Sequence, residues 1–385
     1  NMKSVSATLI VDLGNSQTRV MVQSGVGRSG LVRQKLSTVS NQFAPLQEDY
    51  SLSDVYDKSN TVIFRTEQGE IFANGLLVER EYPTMAIRPT AMQTKQDSKV
   101  SVLTFIRAFY EGYKLLAEMY NCRMSALDVS WKVTYLLPPN DIEVGGKVLY
   151  DKINSISKLE YLLPDFKVDL NIENVKVFPE GFAAYIGTLM RRGRIVNEEF
   201  KYLLNATTLV VDIGAGTTDF FIIKGTETLD HTKSTTKIGG NNVIAFVRQG
   251  LIKKNITLPE SVVEEGVRTG VVKDGSKVIH IEKGIAQSKD RVAYNLINEI
   301  TSYFEATMFP LQTVENLLVV GGGSIPSDIE GVESLSTYLV NRLKEFSPNI
   351  ELVPLPKEYR GEDSTGAETN PRLLNILGAG VLSEG

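Results

Sequence analysis

The chain has 385 residues, 42% of them hydrophobic and 23% charged, with a net charge of −5. That length suffices for roughly two or three domains with cores of their own, and the balance excludes a disordered or fibrous chain. The acidic surplus repels nucleic acid and argues against direct DNA binding. No apolar run reaches membrane-spanning length, and the first residues lack a secretory signal. The lone Cys122, with only His231 and His280 beside it, supplies neither an intrachain disulfide nor a zinc constellation. The expectation is a cytoplasmic protein with no membrane or nucleic-acid contact of its own.

The first element is the aliphatic run Leu9-Ile10-Val11, which turns at Asp12-Leu13-Gly14 and leaves through Val20-Met21-Val22. Gly25 to Gly30 has the glycine spacing of a dinucleotide loop, but Leu31-Val32-Arg33 starts no helix, so the segment reads as a hairpin turn. A polar stretch with short strand-like pieces, such as Thr61-Val62-Ile63-Phe64, predicts a small subdomain inserted at about residues 34–98. Val102, Phe105, Ile106, Phe109, Leu115, Leu116 and Met119 then recur at helical spacing. A strand from Val129 to Leu137 is ended by Pro138-Pro139. Gly145-Gly146-Lys147 lacks the flanking residues of a P-loop and reads as a loop lysine. Val175 to Phe178 reads as a strand and Gly181 to Met190 as a helix.

The opening motif then returns 200 positions later: Leu209-Val210-Val211 turns at Asp212-Ile213-Gly214 and leaves through Phe220-Phe221-Ile222. That interval is far longer than a solenoid period and points to a duplicated domain. A long helix over Ser288 to Met308, the strand Leu317 to Val320, the glycines Gly321-Gly322-Gly323, and a polar loop over Lys357 to Asn370 complete the chain. Alternating helices and aliphatic strands predict an α/β fold with sheets covered on both faces.

Asp212 to Asp219 carries the strongest chemical signal. Gly214, Ala215 and Gly216 let backbone amides approach a phosphate, and the hydroxyls of Thr217 and Thr218 add donors. A carboxylate before the turn can hold a hydrated magnesium ion, which keeps several waters. The bland alternative is an ordinary hairpin with glycine in its turn. The first copy has the same carboxylate in Asp12 and the same glycine in Gly14, with Asn15, Ser16, Gln17 and Thr18 as further donors and Arg19 as a fixed cation. Two such turns facing each other would clamp a polyphosphate, which explains the duplication better than two unrelated hairpins do. Gly321, Gly322, Gly323 and Ser324 break a buried strand and would let the backbone pass close to a purine or ribose, or simply turn the chain into a helix.

Taken in this order, the two hairpins and the late glycine loop resemble the actin, sugar-kinase and heat-shock-chaperone ATPase superfamily over nearly the whole chain. The stretch Asp128 to Pro139 is similar to the plasmid-segregation actins. The resemblance implies a duplicated, ribonuclease H-like two-domain fold with a central nucleotide cleft, the halves being residues 1–183 with 371–385 and residues 184–370. It implies ATP or ADP and Mg2+ as ligands, with Asp12 and Asp212 orienting the metal through water. Arg19 stands where the family usually has lysine, so its phosphate contact is open. Gly239 and Gly240 resemble the glycine turn that approaches the nucleotide, Ile376 to Gly380 the closing helix, and Glu180 the residue facing the attacking water. Glu180 could equally be a helix N-terminal charge.

By the same resemblance the chain would be a polymerising ATPase that assembles head-to-tail and moves plasmid DNA through an adaptor protein. A metabolite kinase or phosphatase and a cell-shape actin are the alternatives. A chaperone would carry a further substrate domain, for which no residues remain after Gly385.

Overall fold

Leu9, Ile10 and Val11 are completely inaccessible to solvent in the computed structural model, so the strand Lys3–Leu13 is covered on both faces. The structure describes residues 2–14, 17–47, 60–89, 95, 98–356 and 371–384. The loop expected over Lys357 to Asn370 lies outside the described residues. The described residues divide into two compact units, one of residues up to Ile195 together with those from Asn375 on, the other from Val196 to 356 together with 371 to Leu374.

In the first unit, Lys3–Leu13 pairs antiparallel with Gln17–Val26, which pairs antiparallel with Val32–Ser40. On its other side Lys3–Leu13 runs parallel to Leu127–Leu137, and that strand runs parallel to Asn171–Pro179. The second unit repeats this order. Thr207–Ile213 pairs antiparallel with Thr218–Lys224, followed by Glu227–Thr236, and runs parallel to Asn316–Gly321 and then Glu351–Leu352. The internal echo in the sequence is therefore a repeated sheet topology.

The helix Lys99–Tyr120 begins where the Ser98 side chain accepts from the Val100 amide and ends at Asn121 in the left-handed region, φ 49°. Its buried side packs Phe109 and Tyr113 edge-on against Trp131, with centroids 5.9 and 5.4 Å apart. Gly112 makes that approach possible, because a Cβ there would lie 3.0 Å from both Leu9 and Trp131. In the second unit Phe304, on the helix Glu282–Ala306, meets Phe220 of the sheet edge-on at 5.8 Å.

Two features differ from the sequence expectation. Gly145, Gly146 and Lys147 lie inside the helix Ile142–Asn154 rather than in a loop. Glycine costs a helix about 1 kcal/mol per residue, but here it lets the backbone come close: Tyr135 donates to the Gly146 carbonyl at 2.6 Å, and a Cβ on Gly146 would touch Val177 at 3.3 Å. Secondly, the strand pieces near Thr61 do not form a sheet by themselves. Phe43–Leu46, Ile71–Gly75 and Thr61–Arg65 join Lys158–Leu163 and Asp165–Asp169 in an antiparallel sheet, while Val32–Ser40 belongs to the main sheet. Tyr161 anchors this third sheet by donating to the Ile106 carbonyl at 2.6 Å. The segment Gly25 to Gly30 is the hairpin turn expected, with both glycines at positive φ.

Candidate functional site

Parallel strands point their carboxyl ends the same way, and in open α/β sheets that edge is where ligands bind. In the first unit, Lys3–Leu13, Leu127–Leu137 and Asn171–Pro179 are parallel, so Asp12 and Glu180 arrive at one edge. The Glu180 amide donates to the Leu137 carbonyl at 2.8 Å, and the next amide, Gly181, donates to Asn375 Oδ1 at 3.0 Å. Gly181 takes φ 74°, a turn that glycine permits without strain. Asn375 lies in the first turn of the closing helix Leu374–Ser383, which approaches so closely that a Cβ on Gly378 would lie 1.6 Å from the Ala183 carbonyl.

Asp12 stands directly across from Arg19 in the hairpin, with Arg19 Nη1 3.9 Å from its carboxylate, and both side chains are buried. Burial pushes the Asp12 carboxyl up, Glu180 pushes it the same way, and Arg19 and Lys95 pull it back. Lys95 forms an ion pair with Glu180. The result is a four-member cluster of alternating charge, Arg19, Asp12, Lys95 and Glu180. Nothing in the sequence marks Lys95, which is one lysine in a polar stretch without periodicity.

The turn itself is only partly described. Asn15 and Ser16, both expected phosphate donors, lie outside the described residues. Gln17 is exposed, while Thr18 is fully buried and pairs with Leu13 across the hairpin. Gly14 has no room for a side chain, since a Cβ would lie 2.1 Å from the Gln17 carbonyl, and its own carbonyl accepts from Asn41 Nδ2. Thr18 Oγ1 and Asn41 Oδ1 are buried and have no partner among the described residues.

In the second unit the carboxyl ends of Thr207–Ile213 and Asn316–Gly321 bring Asp212 and the glycine loop together. Gly321 has φ 76°, and a Cβ on it would sit 2.6 Å from Asp212 Oδ1; one on Gly323 would sit 2.7 Å from the Ile213 Cβ. Ser324 donates to the Gly321 carbonyl at 2.8 Å, and Gly322 lies beside the Arg372 guanidinium, which sequence reasoning missed. The hairpin turn closes by a hydrogen bond from the Gly214 amide to the Thr217 carbonyl at 2.9 Å. Among the described residues the Ala215 and Gly216 amides have no protein partner, which leaves two donors for an anion.

The Gly239-Gly240 turn packs on this hairpin. The Gly240 amide donates to the Gly214 carbonyl at 2.9 Å, the Asn241 amide to the Ala215 carbonyl at 2.7 Å, and Thr218 Oγ1 to the Ile238 carbonyl at 2.7 Å. A Cβ on Gly239 would lie 2.6 Å from the Ala215 carbonyl, so only glycine fits. The expected second-unit residues Asp212, Gly214, Ala215, Gly216, Thr217, Thr218, Gly239 and Gly240 thus form one cluster, with Gly321, Gly322, Gly323 and Ser324 on its flank.

Comparison with known proteins gives the fold. Residues 210–328 match the family described as the archaeal actin homologue MreB-like, C-terminal. No curated protein matches the chain by sequence. Among solved structures, the archaeal actin homologue Ta0583 is 17% identical with a TM-score of 0.68, the alignment covering 98% of each chain. The actin-like protein Alp7A is 14% identical with a TM-score of 0.68, over 99% of this chain and 96% of its own. A subunit of a 15-stranded ParM filament from Clostridium botulinum is 15% identical with a TM-score of 0.62, over 97% of each chain. Ta0583 has also been solved in complex with ADP, and that structure aligns with a TM-score of 0.64. The chain therefore has the actin-like fold, and its residues 210–328 are similar to the C-terminal part of the archaeal, MreB-like actin homologues.

Proposed function

We propose that the chain is a filament-forming ATPase: it binds a nucleoside triphosphate with magnesium at the Asp12 and Asp212 hairpins, hydrolyses it and polymerises. The observation that carries this reading is the repetition of a carboxylate-glycine turn at the carboxyl edge of two sheets of the same topology, each turn tightened by contacts only glycine allows. The open amides of Ala215 and Gly216 suit phosphate oxygens, and the glycine loop at Gly321 suits an adenosine.

The donor set fits a hydrated divalent cation. Such an ion needs only one or two protein oxygens and otherwise binds through its waters, and the first hairpin has a buried carboxylate together with two orphaned polar oxygens, that of Thr18 in the hairpin and that of Asn41, which is hydrogen-bonded to its Gly14 carbonyl. Asp12 and Asp212 would hold it. When bound, the metal would neutralise charge on the phosphates and lower the cost of the buried Asp12 carboxylate. Glu180 orients the attacking water and receives its proton, while Lys95 holds that carboxylate in place. Catalysis in this scheme is positioning and electrostatics.

Self-association is supported by the ParM filament among the structural relatives, and head-to-tail contacts that do not close generate such fibres. Movement of plasmid DNA through an adaptor protein is the cellular role we assign. The purified chain with ATP and magnesium should scatter light, sediment and release phosphate. Asp212→Ala should lose about a hundredfold or more in hydrolysis. A chain that stays monomeric under these conditions and passes phosphate to a sugar or an acid would replace this reading with a metabolite kinase.

A further inference from the structure

The two hairpins are fastened by different groups. In the second unit the chain leaving the third strand, Glu227–Thr236, reaches Ile238 to Gly240 and engages the hairpin with one acceptor and one donor. The Ile238 carbonyl takes the Thr218 hydroxyl, and the Gly240 amide holds the Gly214 carbonyl. In the first unit the third strand is Val32–Ser40, and Asn41 follows it at once. Its Nδ2 donates to the carbonyl of Gly14, the residue matching Gly214 in the duplication. Its Oδ1 and the Thr18 hydroxyl, which matches Thr218, are both buried without a partner among the described residues. One side-chain amide thus provides the donor that the Gly240 amide provides in the other half, while the Thr18 hydroxyl lacks, among the described residues, the acceptor that Thr218 finds in Ile238.

Asn41 is held from behind. Arg107 Nε donates to Asn74 Oδ1 at 2.9 Å, which fixes the orientation of that amide. Asn74 Nδ2 then donates to the Ser40 carbonyl at 2.8 Å and the Gln42 carbonyl at 2.9 Å, on either side of Asn41. Asn41 and Asn74 are each 1% exposed. A bracket of this kind locks a short connection whose side chain must point one way.

We propose that Asn41 is a positioning residue of the first phosphate hairpin, with the role that Gly240 has in the second. A turn that binds anions must present amides and withdraw its carbonyls. Holding the Gly14 carbonyl keeps its negative end off the phosphate, and the free Oδ1 is left to accept from a water, since a phosphate oxygen cannot donate to it. The inference rests on the nucleotide reading of this hairpin.

The test is ATP binding in the presence of magnesium, by calorimetry, on the full chain, with circular dichroism and thermal unfolding as controls. Asn41→Ala should fold and bind about tenfold more weakly. Asn41→Asp keeps the shape but sets a carboxylate against the Gly14 carbonyl. It should bind more weakly than Asn41→Ala under mildly alkaline conditions and recover as acidification lets the carboxyl donate. Asn41→Ala should show no such recovery, and a merely structural role would not produce that pH profile. If Asn41→Ala fails to fold, the Asn41→Asp profile decides alone. Wild-type-like binding by the variants at every pH overturns the inference and leaves the nucleotide reading intact. Failure of the wild-type chain to bind overturns both.

Discussion

The two hairpins share a backbone and differ in the charge that faces the carboxylate. Strand pairing puts Arg19 directly across from Asp12, and Asp219 directly across from Asp212. Directly opposed residues share a face of the sheet, so the first arrangement is attractive and the second repulsive. The first unit buries its carboxylate among Arg19, Lys95 and Glu180; the second faces two carboxylates and gives Asp219 a hydrogen bond from the Thr235 hydroxyl. Duplication has kept what backbone geometry demands, Asp, Gly and Thr at matching positions, and has let the surrounding charge diverge. Under the proposed function the first unit would supply the reactive groups and the second the cradle.

The comparison breaks most easily at Glu180. The third parallel strand of the second sheet, Glu351–Leu352, runs into Val353 and Pro354, with no carboxylate in the corresponding place. Glu180→Gln should lower kcat by about 10²–10⁴ while nucleotide binding changes little. Single-turnover phosphate release beside equilibrium binding measures both. A loss of less than about tenfold would reduce Glu180 to the ion-pair partner of Lys95.

The units also differ in how they use ion pairs. Buried Glu111 pairs with the partly buried Arg107 at 2.9 Å, with Ser37 and Lys114 also on the carboxylate. Burial pushes the Glu111 carboxyl up, but Arg107, Lys114 and Ser37 together outweigh it and hold the group below the ordinary carboxylate range. Arg342 and Asp290 in the second unit form a two-pronged pair, at 2.8 and 2.6 Å, that remains partly exposed. Arg107→Ala should cost about 3 kcal/mol, because it strands a buried carboxylate, and Arg342→Ala less than about 1 kcal/mol. Because the Glu111 carboxyl is depressed in the folded state, its contribution is present above the unfolded carboxylate range and is lost as pH falls through the folded value. Urea titrations across acidic pH check the magnitudes and the sign.

Much of this was legible in the sequence, because it rested on local signals. Leu9-Ile10-Val11 and Leu209-Val210-Val211 read as buried strands from side-chain type alone, and the helix Lys99–Tyr120 from its period. The third sheet was not legible, since its pairing of Thr61–Arg65 with Lys158–Leu163 joins segments far apart in the chain and is decided by packing. Gly145 and Gly146 misled because helix propensity was overridden by the close approach of Tyr135 and Val177. Lys95 and Asn41 act through spatial neighbours, so no motif contains them. Asn41 has one weak sign, its place after the third strand, which acquires meaning only when the two sheets are superposed strand by strand.

Asp12 yields the smallest effect and the sharpest sign. Its carboxyl is raised above the ordinary value of 3.8, by burial first and by Glu180 second. Between the unfolded and folded values the folded chain holds the proton more often than the unfolded one, so stability falls as pH rises through that window. Above it the cost of the buried charge is complete; below the unfolded value it vanishes. Asp12→Asn removes that charge, and without nucleotide or metal should melt about 2–4 °C above the wild type at neutral pH, the two converging in acid. Asp212 is only half-buried, so hydration weakens the repulsion from Asp219 across the hairpin, and its change to asparagine should give a smaller gain. Equal gains at both positions would mean that the two hairpins carry the same electrostatic strain after all, and that Arg19 and Asp219 are interchangeable neighbours. Unequal gains would place the larger stored cost at Asp12, one that a bound cation would be expected to relieve.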